Sequence, residues 1–192
     1  EGNPVIAVRP ANHPGVRPSR SVWRGTNAIM SWSWAGCEGR PVVVEIYADA
    51  DEVELFKDGE SVGKKAPEAC RALFETTYEP GVITAKAYKD GEETGSYELK
   101  TAGEASPVVR TSWEGEDLIY VDVTLEDAEG NVATDRDTEL TAEVSGAELV
   151  GFGSGNPKPE RNYNEGIAKT WNGRAQMILR KTGDADIAVS VK

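Results

Sequence analysis

The chain has 192 residues, 33 acidic and 21 basic, with a formal net charge of −12 and 39% apolar content. That length and apolar fraction suit one large or two small globular domains with a sizeable core. Both halves are acidic when the chain is divided at Gly103, and a surface of that sign repels phosphate backbones and anionic lipid, which argues against nucleic acid and membrane as partners.

No run approaches the roughly 20 apolar residues of a membrane-spanning helix, and no charged-then-apolar segment opens the chain. It begins at Glu1 rather than Met, so a fragment or processed product of a longer protein is expected. Residues 1–24 carry Pro4, Pro10, Pro14 and Pro18 with no helical period, and the basic residues Arg9, Arg17, Arg20 and Arg24 stand against Glu1 alone. This composition predicts an extended arm lying along another surface. His13 sits in it, in Ala-Asn-His-Pro-Gly, with no second ligand in view, and reads as a loop residue.

From Ala28 onward the pattern changes to short strands: Val42 to Tyr47, Glu52 to Phe56, Val82 to Tyr88 and Ser96 to Leu99. Asp58-Gly59, Pro80-Gly81 and Asp90-Gly91 punctuate them as turns. After Thr101-Ala-Gly-Glu-Ala-Ser-Pro107 a second set follows, at Leu118 to Leu125, Glu139 to Val144, Ala175 to Leu179 and Ile187 to Val191. No segment repeats apolar residues at helical spacing over three turns. The expectation is an all-β chain of two tandem immunoglobulin-like β-sandwiches, residues 25–103 and 104–192, behind the arm.

The acidic clusters read as scaffolding. In Val53-Glu-Leu-Phe-Lys-Asp-Gly-Glu-Ser-Val-Gly63, alternation turns Val53 and Leu55 to one face and Glu52, Glu54 and Phe56 to the other, with Asp58-Gly59 in the turn. A glycosidase pair needs two carboxylates held in a cleft, which an isolated hairpin does not offer. Asp127-Ala-Glu-Gly-Asn131 has the oxygen ligands of a calcium loop without its length or closing glutamate, and reads as a strand-connecting turn. Asp135 with Asp137, and Asp184 with Asp186, are i, i+2 pairs in loops, each with a weak surface cation site as the alternative. Cys37 and Cys70 are too few for a disulfide framework or a structural zinc, and a single bridge between them stays open. No metal or cofactor is expected, and a nucleophilic triad has only His13 to draw on.

The aromatics offer more. In Met30-Ser-Trp-Ser-Trp34, strand spacing would turn Trp32 and Trp34 to one face, either packed in a core or exposed as a platform for sugar rings. The longest irregular segment, Val150 to Gly166, is rich in Gly, Asn and Pro and is no phosphate loop, since its lysine stands between prolines. Its Asn156, Tyr163 and Asn164, with Trp171 beyond it, make the best candidate binding patch.

Together, Arg9-Pro-Ala-Asn-His13, Val22-Trp-Arg-Gly-Thr26, Ser31-Trp-Ser-Trp34, Gly36-Cys-Glu-Gly39, Val53-Glu-Leu-Phe56 and Tyr78-Glu-Pro-Gly81 resemble the C-terminal region of glycoside hydrolase family 2 enzymes of the β-galactosidase type. Thr101-Ala-Gly103 resembles the junction to a further domain. Val150-Gly-Phe-Gly153, Gly155-Asn156 and Trp171-Asn-Gly-Arg174 are similar to that family's last immunoglobulin-like domain. Lys57-Asp58 stands where an apolar residue and Asn are usual, and Trp171 where Phe is common. The resemblance implies that the catalytic glutamates lie on an upstream (β/α)₈ barrel and that no catalytic residue falls in this chain. The implied partners are the rest of the parent glycosidase, then carbohydrate or a second copy. Two alternatives remain: a carbohydrate-binding module built on Trp171 or on Trp32 and Trp34, and a bacterial adhesin-type repeat, since residues 102–192 also resemble invasin-type domains.

Overall fold

The structure, a computed structural model, describes residues 3–11, 25–183 and 185–192. The readings of His13, Arg17, Arg20 and Arg24, and of Asp184 in its pair with Asp186, fall outside the described residues. Among those described, every regular element is a strand. The chain divides into two compact units, Glu1–Thr101 and Ala102–Lys192. Each is a sandwich of a three-stranded and a four-stranded antiparallel sheet with immunoglobulin-like architecture.

The first unit contains β1 (Val5–Val8), β2 (Pro41–Tyr47), β3 (Glu52–Lys57), β4 (Glu60–Lys65), β5 (Arg71–Thr77), β6 (Val82–Lys89) and β7 (Glu92–Lys100). Their sheets run β1-β2-β5 and β4-β3-β6-β7. Alternation places Val42, Val44 and Ile46 of β2 against Val53 and Leu55 of β3 and Ile83, Ala85 and Ala87 of β6 in one core. Residues 5–8 depart from the expected arm. They pair with β2 through Ile6↔Ile46 and Val8↔Val44, and both apolar side chains are fully buried. Two of the four prolines that suggest a linker, Pro4 and Pro10, flank this short edge strand, where a missing N–H is tolerated.

Residues 31–34 are irregular rather than a strand. Trp32 is enclosed in the core, edge-on to Tyr78 with ring centres 5.1 Å apart, and Trp34 is buried beside it. The Trp34 N–H donates to the Tyr78 hydroxyl at 3.2 Å, and the Thr101 hydroxyl donates to the Trp32 carbonyl at 2.6 Å. The sugar-platform reading of Trp32 and Trp34 is thereby corrected: side chains buried in the core have no exposed ring face to offer a ligand.

One carboxylate lies inside this unit. Glu45 is fully buried on β2 and accepts hydrogen bonds from Arg9 Nε (2.7 Å), from the Thr26 hydroxyl (2.7 Å) and from the Tyr47 hydroxyl. Burial alone would raise its pKa, but the donors Thr26, Tyr47 and Arg9 outweigh it and hold the carboxyl below its ordinary value. The chain segments around residues 9 and 26 are thus tied to one side chain.

The turns follow the expected chemistry. Asp58-Gly59 (φ 50° and 85°), Asp90-Gly91 (52° and 83°) and Asn172-Gly173 (51° and 68°) all place two successive residues in the left-handed region, as a two-residue type I′ turn requires. Cys37 is buried and Cys70 exposed, and the two are not bridged.

The second unit contains β8 (Ser106–Glu114), β9 (Leu118–Glu126), β10 (Glu139–Ser145), β11 (Ala147–Gly153), β12 (Ile167–Lys169), β13 (Arg174–Lys181) and β14 (Ala188–Val191). Their sheets run β12-β10-β14 and β11-β13-β9-β8. Val121, Val123, Leu140, Phe152, Met177 and Leu179 form the core. The segment expected to be irregular from Val150 begins four residues later, because Phe152 is drawn into that core and pairs with Met177. Asp127 accepts N–H bonds from Gly103, Glu129 and Asn131, each 2.9 Å, so its loop is a strand-connecting turn. These bonds, that from Gly103 foremost, hold its carboxyl far below the ordinary range. Asp137 accepts the Gly173 N–H at 3.3 Å, and Asp135 lies 3.4 Å from Arg136. No cluster of three or more metal-ligating side chains occurs among the described residues.

Candidate functional site

On the four-stranded sheet of the second unit, Val121, Val123, Met177 and Leu179 face the core, so the residues between them face outward. Register aligns these outward residues in rows across the strands. Thr124 lies opposite Arg174, Asp122 opposite Gln176 and then Gly153, and Tyr120 opposite Ile178 and then Gly151. Two outward positions of β11, Gly151 and Gly153, carry no side chain, and a cavity of about 690 Å³ opens over the sheet there.

Tyr163 forms one wall. Its carbonyl accepts the Phe152 N–H at 2.6 Å, and its ring, half exposed, lies against Gly153. A Cβ built on Gly153 would stand 2.1 Å from Tyr163 Cδ1, so only glycine lets the ring rest on the strand. The loop that carries Tyr163 is held by Arg161, whose Nε lies 3.1 Å from Glu139, and by Asn162, which donates to Glu165 at 2.9 Å.

The polar groups of the cavity are arranged by their neighbours. Gln176 Nε2 donates to Asp122 at 2.8 Å, which fixes the amide orientation and leaves the other carboxylate oxygen and the amide oxygen available. Arg174 Nη1 donates to the Asn172 carbonyl at 3.2 Å. The Thr124 hydroxyl donates to Glu126, which also receives Arg110 Nη2 at 2.7 Å. Arg110 is the main reason the Glu126 carboxyl sits below its ordinary pKa; burial opposes it and Thr124 assists.

Asp122 is the single carboxylate among the lining residues. Paired carboxylates about 5–9 Å apart, which glycoside hydrolysis uses, do not line this cavity. Carboxylates in and beside the Val53–Gly63 hairpin are engaged elsewhere: Glu52 lies 3.4 Å from Lys64, Glu54 accepts from Ser61 (2.6 Å) and Tyr88 (3.2 Å), and Asp58 accepts the Val82 N–H at 2.8 Å.

The expected patch is only partly assembled. Tyr163 lines the cavity, and Asn156 joins it in an adjoining cleft of about 30 Å³, with its Oδ1 accepting the Lys158 N–H at 3.0 Å. Trp171 is 42% exposed at the turn before β13 but lines neither space. Asp122, Gln176 and Ile178 were not singled out from the sequence. Their signal was the period-2 alternation of β9 and β13, which identifies outward residues without saying that a cavity lies over them.

Residues 109–192 match the family described as glycoside hydrolase family 2 C-terminal domain 5, and residues 39–95 match a domain of unknown function, DUF4982. The chain is 27% identical over 162 residues to the β-galactosidase BoGH2A of Bacteroides ovatus, covering 79% of this chain and 19% of that protein. Among solved structures, a glycosyl hydrolase family 2 member from Bacteroides cellulosilyticus superposes with a TM-score of 0.86 at 26% identity, over 98% of this chain and 26% of that one. A β-glycosidase from Bacteroides vulgatus shares the fold, with a TM-score of 0.77 at 22% identity over 98% of this chain and 23% of that one. The chain thus spans about a fifth to a quarter of the length of these relatives. Residues 109–192 thus carry the match to glycoside hydrolase family 2 C-terminal domain 5, and the chain as a whole resembles the C-terminal region of family 2 enzymes of the β-galactosidase type.

Proposed function

We propose that this chain is the non-catalytic accessory region of a family 2 glycosidase, two sandwiches that pack on and support the part of the enzyme that carries out hydrolysis. The observation that carries the reading is the match of residues 109–192 to the family's C-terminal domain, within a chain that aligns over 98% of its length to about a quarter of a family 2 member. The engagement of its carboxylates supports it. Glu45, Glu126 and Asp127 each hold structural hydrogen bonds and are kept ionised by them, the opposite of a general acid, whose pKa is raised.

The purified chain is expected to show no turnover of 4-nitrophenyl β-D-galactopyranoside, and removal of this region from the parent enzyme is expected to lower its melting temperature. Turnover by the purified chain that disappears on mutating one of its own carboxylates would overturn the non-catalytic reading. A parent enzyme that keeps its full stability and activity without the region would overturn the supporting role.

A further inference from the structure

We propose that the outward face of the four-stranded sheet in the second unit is a binding site for a neutral hexopyranose chain, seated between the Tyr163 ring and the Asp122–Gln176 pair. The proposal concerns the isolated chain and stands whether or not the parent enzyme is supported by it.

The cavity, about 690 Å³, falls in the range of roughly 300–1,000 Å³ typical of small-ligand sites. A pyranose has two kinds of surface, axial C–H faces that lie on aromatic or aliphatic groups and equatorial hydroxyls that need paired donors and acceptors. Both kinds of complement are present. Tyr163 and Ile178 provide apolar surface, and Gln176, Asp122 and Arg174 provide amide, carboxylate and guanidinium groups on neighbouring strands, the geometry that meets vicinal hydroxyls.

The lining carries one formal anion, Asp122, and one formal cation, Arg174, so it complements neither a phosphate nor a polyanion. An extended peptide is also disfavoured, because a peptide joining the β11 edge would need the Phe152 N–H, which already bonds to the Tyr163 carbonyl. Beyond the cavity the Ile178 row continues through Tyr120 to Trp113, whose ring is half exposed and lies tilted by 39° against Tyr120 with centres 5.0 Å apart. That continuation gives a second apolar step for a chain longer than one sugar.

The test is titration of the ¹⁵N-labelled chain with cellotetraose, β-1,4-galactotetraose and β-1,4-mannotetraose, with tetragalacturonate as the charged comparison. Saturable shifts are expected at the amides of Gly151, Gly153 and Gln176 with at least one neutral tetrasaccharide. Tyr163→Ala and Gln176→Ala should each weaken that binding about tenfold or more, the loss expected when a ring face or a hydrogen bond to a charged network is removed. Gly153→Ala should weaken it too, by displacing the Tyr163 ring from the strand. Trp171→Ala, outside the cavity, should leave it unchanged. Absence of saturable shifts with all three neutral probes would overturn the proposal, and in that case protection of the same amides from hydrogen exchange in the parent enzyme would assign the face to the parent's own chain. Tighter binding of tetragalacturonate, or a loss confined to Trp171→Ala, would overturn it as well.

Discussion

The two four-stranded sheets share an architecture and differ in what their outward faces hold. In the first unit the face is filled by its own side chains. Lys64 reaches Glu52 and lies 4.0 Å from the Tyr88 ring centre, while Lys86 lies 2.8 Å from Glu93 and 5.8 Å from the Phe56 ring centre. In the second unit the corresponding face has glycines at 151 and 153, an amide–carboxylate pair and an open cavity. Strand pairing therefore builds the platform, and the residues on one of its two periods decide whether the platform is closed or receptive.

The units also differ in how they bury charge. Glu45 is fully enclosed and ties three donors from separate parts of the first unit, whereas the partner of Glu126, Arg110, is 59% exposed. A carboxylate removed from water gains more from fixed donors and loses more when they are taken away.

Three experiments test this contrast, in falling order of effect. Trp32→Ala should destabilise the first unit by roughly 3–5 kcal/mol, the range for deleting a large buried aromatic, seen as faster hydrogen exchange of β2 and β5 amides. Exchange rates unchanged from the wild type would refute the core assignment.

Glu45→Gln should cost about 2 kcal/mol, discounted from the value for a buried ion pair because Arg9 is 30% exposed. Arg110→Ala at the other carboxylate should cost less than Glu45→Gln, because that guanidinium is largely in water. The pH dependence has a definite sign. The Glu45 pKa is lower folded than unfolded, so its stabilisation is fully present above the unfolded carboxylate value of about 4.3 and is lost as pH falls through the folded value. Denaturation followed from pH 7 down to pH 3 should show a steeper loss for the wild type than for Glu45→Gln, and equal slopes would remove Glu45 from the account.

Lys86→Ala should have the smallest effect on stability of these substitutions, because its ion pair and ring contact lie at the surface. A urea midpoint lowered as far as that of Glu45→Gln would mean that the filled face of the first unit is structural rather than a solvated covering.

Much of this molecule is legible from short-range chemistry. Asp58-Gly59 and Asp90-Gly91 announce their hairpins because adjacent positive φ values are cheap only for such residues, and Val53 and Leu55 declare their inward face by alternation alone. The ordered motifs from Arg9 to Arg174 carry the family resemblance. Other features required the folded chain. Whether Trp32 and Trp34 are platform or core depends on Tyr78, more than forty residues away in sequence. Residues 5–8 become a strand only because β2 offers an unpaired edge. The cavity exists because register sets Gly153 beside Gln176 and Asp122 while a loop returns Tyr163 onto the same glycine. Spacing along one strand reports which residues share a face; which face meets which is set by pairings between distant segments, and no local pattern contains them.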